Sequence, residues 1–103
     1  MNIFLNKKIL IYGLGKSGLS SFKFLKDKGD ILLYDDNLSK IRVSSIKKNL
    51  ISYKKVLKIK FDQIILSPGI DINKCKLSNF LKKNWFKIYS DLDVFFSFYK
   101  NKC

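Results

Sequence analysis

An apolar run of strand length, Ile9-Leu10-Ile11-Tyr12, passes directly into Gly13-Leu14-Gly15-Lys16-Ser17-Gly18. Such a run suits a strand covered on both faces of a parallel sheet, and a G-x-G-x-x-G turn leaving it constrains the next element of the fold. Gly13 permits a tight turn, and Gly15 lets a ligand approach the backbone with no Cβ in the way. Gly18 lets the next helix pack closely on the sheet. Free N–H groups at that helix start, with the positive end of the helix dipole behind them, favour an anion. The candidate contacts are the amides of Lys16 and Ser17, with the Ser17 hydroxyl as a further donor. The motif specifies a phosphate or diphosphate without saying which, and a glycine-rich turn that only permits packing is the plain alternative.

The chain continues as alternating helical and strand-like segments. Residues 16–28 read as a helix with Leu19, Phe22 and Leu25 on one stripe and Gly29 as its C′ residue. Residues 31–34 read as a second strand ending in Asp35-Asp36-Asn37, and 39–48 as a second helix. A short strand is predicted at 51–53 and a helical turn at 56–59; a strand over 61–66 then runs into Ser67-Pro68-Gly69. A helix over 74–83, a strand over 86–89 and a last helix complete the chain. Ser90 and Asp93 have capping-box spacing with Asp in place of Glu. The last helix carries Leu92, Phe95, Phe96 and Tyr99 at i, i+3, i+4 and i+7, with Val94 and Phe98 on another face. This alternation predicts an α/β, Rossmann-like parallel sheet of about five strands with helices on both faces, in a single domain over residues 1–103.

In such a sheet, the loops leaving the carboxyl ends of the strands build the ligand site. Residues 13–17, 35–37 and 67–69 all lie in such loops and are predicted to converge on one crevice. Asp35 follows Gly18 by 17 residues, close to the position where an acid accepts ribose hydroxyls in dinucleotide-binding domains. Asp35 and Asp36 together would repel a ribose 2′-phosphate, so NADP is not expected; a polar turn before Ser39 is the plain reading of the pair. Pro68 stiffens the third loop and Gly69 removes a side chain where something must come close.

Composition narrows the chemistry. The chain has no histidine, which removes Ser-His-Asp and Cys-His catalysis and any His-ligated metal site. Cys75 and Cys103 form no C-x-x-C and are expected to be reduced thiols. The formal charge of +13 comes almost wholly from lysines spread along the chain, Arg42 being the only arginine. Together with the abundance of Asn, Ile, Phe and Tyr, this reads as the codon bias of an AT-rich genome. It indicates a solvated surface, with no specific nucleic-acid partner expected. No apolar run reaches the length of a membrane span, and residues 1–8 lack the features of a secretory signal. A cytoplasmic protein with no membrane partner and no metal site is therefore expected.

Three stretches resemble a known family: Gly13-Leu14-Gly15-Lys16-Ser17-Gly18-Leu19-Ser20, Ile65-Leu66-Ser67-Pro68-Gly69-Ile70 and Ile88-Tyr89-Ser90-Asp91-Leu92-Asp93-Val94-Phe95. In order and spacing the chain resembles the N-terminal domain of the D-glutamate-adding Mur ligases of peptidoglycan synthesis. The resemblance implies that the domain holds the UDP part of UDP-N-acetylmuramoyl-L-alanine. The amides at Gly15, Lys16 and Ser17 would meet the diphosphate. Asp35, Asp36 and Asn37 would take the uracil side, and Ser67, Pro68 and Gly69 would pack near the uridine and diphosphate, with Gly13 and Gly18 structural. Asp36 and Asn37 depart from the family, which often has Thr or Ser and then Arg or Lys there.

Full-length members of that family continue into a central ATPase domain, opening with a P-loop, and a C-terminal domain that takes the amino acid. The resemblance places ATP, Mg²⁺ and D-glutamate on those domains, which these 103 residues do not include, and leaves no catalytic residue or cofactor to this chain. In the full enzyme, ATP phosphorylates the substrate carboxylate and the D-glutamate amine displaces the phosphate. The two apolar faces of the last helix suggest that it packs on a following domain. The competing reading is an NAD-binding regulatory domain of the potassium-transport type, which also opens with G-x-G-x-x-G.

Overall fold

The computed structural model describes residues 3–37 and 44–100, leaving aside the side chains of residues 44, 45 and 100. Its elements are β1 (Lys8–Tyr12), α1 (Lys16–Leu25), β2 (Asp30–Tyr34), a 3-10 segment (Ser44–Asn49), α2 (Tyr53–Lys58), β3 (Gln63–Leu66), α3 (Ser78–Lys83), a 3-10 turn (Trp85–Lys87), β4 (Ile88–Tyr89) and α4 (Asp91–Lys100). The strands pair in the order β2-β1-β3-β4, all parallel. The rudiment of a fifth lies outside β2, where Leu50 bridges Leu33 in parallel and the Ile51 amide donates to the Leu33 carbonyl at 2.9 Å.

The apolar alternation of β1 explains the layering. Ile9 and Ile11 face one side, where Phe22 and Leu25 of α1 and Val94 of α4 complete a buried cluster with Ile31, Leu33 and Ile65. Leu10 and Tyr12 face the other, packing with Ile64, Val56 of α2, and Leu77 and Leu81 at α3. Strand β1 is therefore covered on both faces and paired on both edges. Each of its fully buried Ile and Leu side chains contributes roughly 1.5–3 kcal/mol relative to exposure.

Several expected boundaries move. Helix α1 ends at Leu25, so Gly29 is not its C′ residue. Gly29 instead lets the chain pass close to Lys7, whose carbonyl oxygen would lie 2.6 Å from an added Cβ and accepts the Asp30 amide at 3.0 Å. Residues 39–43 of the expected helix over 39–48 lie outside the described residues; the remainder lies in the 3-10 segment Ser44–Asn49. The strand expected at 51–53 shrinks to the bridge at Leu50, because Ser52 accepts the Lys55 amide and starts α2 instead. The expected helix over 74–83 begins only at Ser78, after turns held by the Asp71 carbonyl, which accepts from Lys74 and Cys75. Strand β4 is two residues long, its expected beginning being the 3-10 turn Trp85–Lys87.

Helix α4 uses its two apolar faces differently. Val94 is buried and Phe98 packs against the core, the latter stacking on Phe24 of α1 with ring centroids 6.0 Å apart. Leu92, Phe95, Phe96 and Tyr99, the longer apolar stripe, face solvent.

Candidate functional site

The crevice is built by loops tied to each other through the backbone. Gly13 has φ +97°, a left-handed conformation open to glycine, and a Cβ there would lie 2.7 Å from the Ser67 Oγ. A Cβ on Gly18 would be driven into the Gly13 carbonyl oxygen, so helix α1 lies as close to the turn as it does only because residue 18 lacks a side chain. The Gly13 amide donates to the Tyr34 carbonyl at 2.9 Å, and its carbonyl accepts the Ser67 hydroxyl at 3.0 Å. Ser67 thus buckles the first loop to the third.

Asp35 ties the first loop to the second. One of its carboxylate oxygens accepts the Leu14 amide at 2.7 Å and the other the Asn37 amide at 2.8 Å. Both oxygens are engaged by backbone, so Asp35 shapes the glycine turn from behind. Asp36 faces differently. It accepts from the Tyr12 hydroxyl at 2.7 Å and from the Lys76 amide at 3.2 Å, while its own carbonyl accepts the Lys76 ammonium at 3.2 Å. Burial, followed by hydrogen bonding to Cys75 and Asp36, holds the Tyr12 phenol far above its ordinary 10.0, so it stays a donor. Burial and then the charge of Asp36 also push the Tyr34 phenol upward.

A cavity of about 330 Å³ opens between these loops. Tyr12, Gly13, Asp35, Asp36, Asn37 and Gly69 line it, together with Lys74 and Cys75. Gly69 is exposed, and an added Cβ would meet nothing within 4 Å. Lys16, Ser17, Ser67 and Pro68 do not line the cavity. Gly15, Lys16 and Ser17 instead form the amino end of α1, where Gly15 is the N-cap with no side-chain cap and no acid occupies the first turn. Gly15 is exposed and open to an added Cβ, leaving its backbone free to approach.

Sequence reasoning missed Tyr12, Lys74, Cys75 and Lys76. The hydroxyl of Tyr12, on the last residue of a strand pointing at the crevice, was the available signal; the other three arrive through turns with no motif. Cys75 is a free, half-buried thiol, and Cys103 lies outside the described residues. Among the described residues no group of three or more His, Cys, Asp or Glu could hold a metal ion.

The family described as Mur ligase MurD-like, N-terminal domain, matches residues 7–88. The UDP-N-acetylmuramoylalanine--D-glutamate ligase of Rickettsia prowazekii is 35% identical over 104 residues, covering 98% of this chain and 23% of the relative. The protein of the same name from Lachnoclostridium phytofermentans is 34% identical over 110 residues, covering 96% of this chain and 24% of the relative. This chain therefore spans about a quarter of the length of these relatives. No solved structure matches it significantly. With the match running from before β1 to the start of β4, through all three crevice loops, the chain belongs to the MurD-like family of Mur ligase N-terminal domains.

Proposed function

We propose that this chain is the substrate-holding domain of a cytoplasmic ligase that uses ATP to add D-glutamate to UDP-N-acetylmuramoyl-L-alanine. Its own task is to bind the UDP moiety. The observation that carries the reading is the uncapped amino end of α1 behind an open Gly15, beside a cavity walled by Asp35, Asp36, Asn37 and Gly69. The amides of Gly15, Lys16 and Ser17 take the diphosphate, where the helix dipole favours negative charge. Asp36 and Asn37 face the uracil side. Asp35, Ser67 and Pro68 act by holding the loops in place, and Gly69 leaves room for the uridine.

The exposed stripe Leu92, Phe95, Phe96 and Tyr99 packs on a following domain in the full-length protein. ATP, Mg²⁺ and D-glutamate belong to domains outside these residues, so this chain alone does not catalyse. The test compares thermal stabilisation and ligand-observed NMR for UDP, UDP-N-acetylmuramoyl-L-alanine and NAD. UDP and the muramoyl substrate should bind at about millimolar Kd, roughly −4 kcal/mol, and NAD should not. Gly15→Val should abolish UDP binding and leave the fold intact, because the added side chain enters open space. Preferential stabilisation by NAD, or UDP binding that survives Gly15→Val, overturns the reading.

A further inference from the structure

The amino edge of the sheet, opposite the crevice, carries a surface that nucleotide binding does not use. The turn Trp85–Lys87 enters β4 there and holds two large apolar side chains in solvent, Trp85 at 73% and Phe86 at 61% exposure. Beside it, a hollow of about 510 Å³ is lined by Lys58, Lys60, Lys83 and Lys87 together with Phe61 and Phe80. The Lys87 ammonium donates to the Phe61 carbonyl at 3.0 Å and lies 5.5 Å from the centroid of the Phe86 ring. Residues 57–61 and 80–87, which supply this region, contain five lysines and no acid. Asp27, Asp30 and Asp62 are exposed at the same edge; Asp62 accepts the Lys8 amide at 2.9 Å and Asp30 pairs with the Lys8 ammonium at 3.4 Å. The hollow itself is lined by four lysines and no acid.

We propose that Trp85, Phe86 and the surrounding lysines form a peripheral contact site for a lipid bilayer bearing anionic phospholipid headgroups. The chemistry fits on two counts. Amphipathic and aromatic rings on a protruding turn suit the headgroup boundary, and clustered lysines attract an anionic leaflet; the two signals together give the stable attachment that either lacks alone. Single-stranded nucleic acid fits less well. The Trp85 and Phe86 rings stand at 84° to one another, so they offer no common platform on which successive bases could stack. No helix among the described residues is long and apolar enough to cross a membrane, and the expectation of no membrane partner, drawn from the lack of a span, does not reach a surface contact of this kind. Because the site lies at the opposite edge from the crevice, the nucleotide cavity stays open while it is occupied.

Trp85 is the only tryptophan, so its fluorescence reports on the site directly. The 103-residue chain would be mixed with vesicles of phosphatidylcholine alone, with phosphatidylcholine–phosphatidylglycerol vesicles, and with polyuridylate. The expected result is co-sedimentation, a blue shift of Trp85 emission and quenching by brominated lipid with the phosphatidylglycerol vesicles only. Phe86→Ser, or Lys83→Gln with Lys87→Gln, should each weaken that binding by about tenfold or more with the circular dichroism spectrum unchanged. Failure to bind, vesicle binding without a Trp85 shift, or a Trp85 response to polyuridylate in place of vesicles overturns the proposal.

Discussion

Helices α1 and α4 both start at the carboxyl edge of the sheet, and they treat their first-turn amides in opposite ways. In α4 the Ser90 hydroxyl accepts the Asp93 amide at 3.2 Å and the Asp93 carboxylate accepts the Ser90 amide at 2.8 Å, with Asp91 and Asp93 adding negative charge to the first turn. This helix end is closed by its own side chains. In α1 the N-cap is Gly15, with no side-chain acceptor and no acid in the first turn. Its donors are left to water or to a ligand. The difference shows how one fold separates a structural helix end from one open to an anion, using only the choice of residues around the cap.

Three substitutions probe this contrast. The largest effect is expected from Gly18→Val, which forces a side chain into the Gly13 carbonyl oxygen. Loss of more than about 4 kcal/mol should appear as an absent or greatly weakened cooperative transition in urea; near wild-type stability would show that the close helix–turn packing is dispensable. Ser90→Ala opens the α4 cap and should cost about 1 kcal/mol by the same measurement, while UDP affinity stays unchanged; an equal loss of UDP binding would mean that the two helix ends are not independent. Gly15→Asp converts the α1 start toward the α4 type. The backbone there, φ −76° and ψ −162°, accepts any residue, so stability should rise by about 0.3 kcal/mol while UDP binding is lost. Retained UDP affinity in calorimetry would break the contrast, because an anionic cap would then coexist with an anionic ligand.

The parts of the molecule legible in sequence are those whose signals are local. Strand β1 declares itself through unbroken apolar residues, the turn through its glycines, and the α4 cap through the spacing of Ser90 and Asp93. The edge beyond β2 was less legible, since one bridge at Leu50 carries no alternation to detect and the helix-starting hydroxyl of Ser52 competes with strand formation. The sequence of helix α4 presents two apolar faces and does not say which is buried. Burial followed Val94 and Phe98, while the longer stripe stayed exposed, touching the domain where Phe95 stands edge-on to Phe24. At the crevice, the three loops follow from parallel topology, but the inward engagement of Asp35 and the recruitment of Tyr12, Cys75 and Lys76 depend on contacts between residues 21 to 40 or more positions apart.

The hydrogen bond between the Ser67 hydroxyl and the Gly13 carbonyl joins residues 54 positions apart. During synthesis at about 5–20 residues per second, roughly 3–10 s pass between the addition of the two. Strand β2 is complete only 21 residues after Gly13 and is then the sole partner of β1 until β3 is made, and the glycine turn meanwhile has neither its buckle nor the wall of the cavity contributed by Gly69. On the proposed function, the cavity that would take a nucleotide is complete only once Gly69 has been made. On that function, ligand rescue of a slow-folding variant is expected to act after β3 has been made, and a stall upstream of Ser67 to leave a nascent chain without the complete cavity.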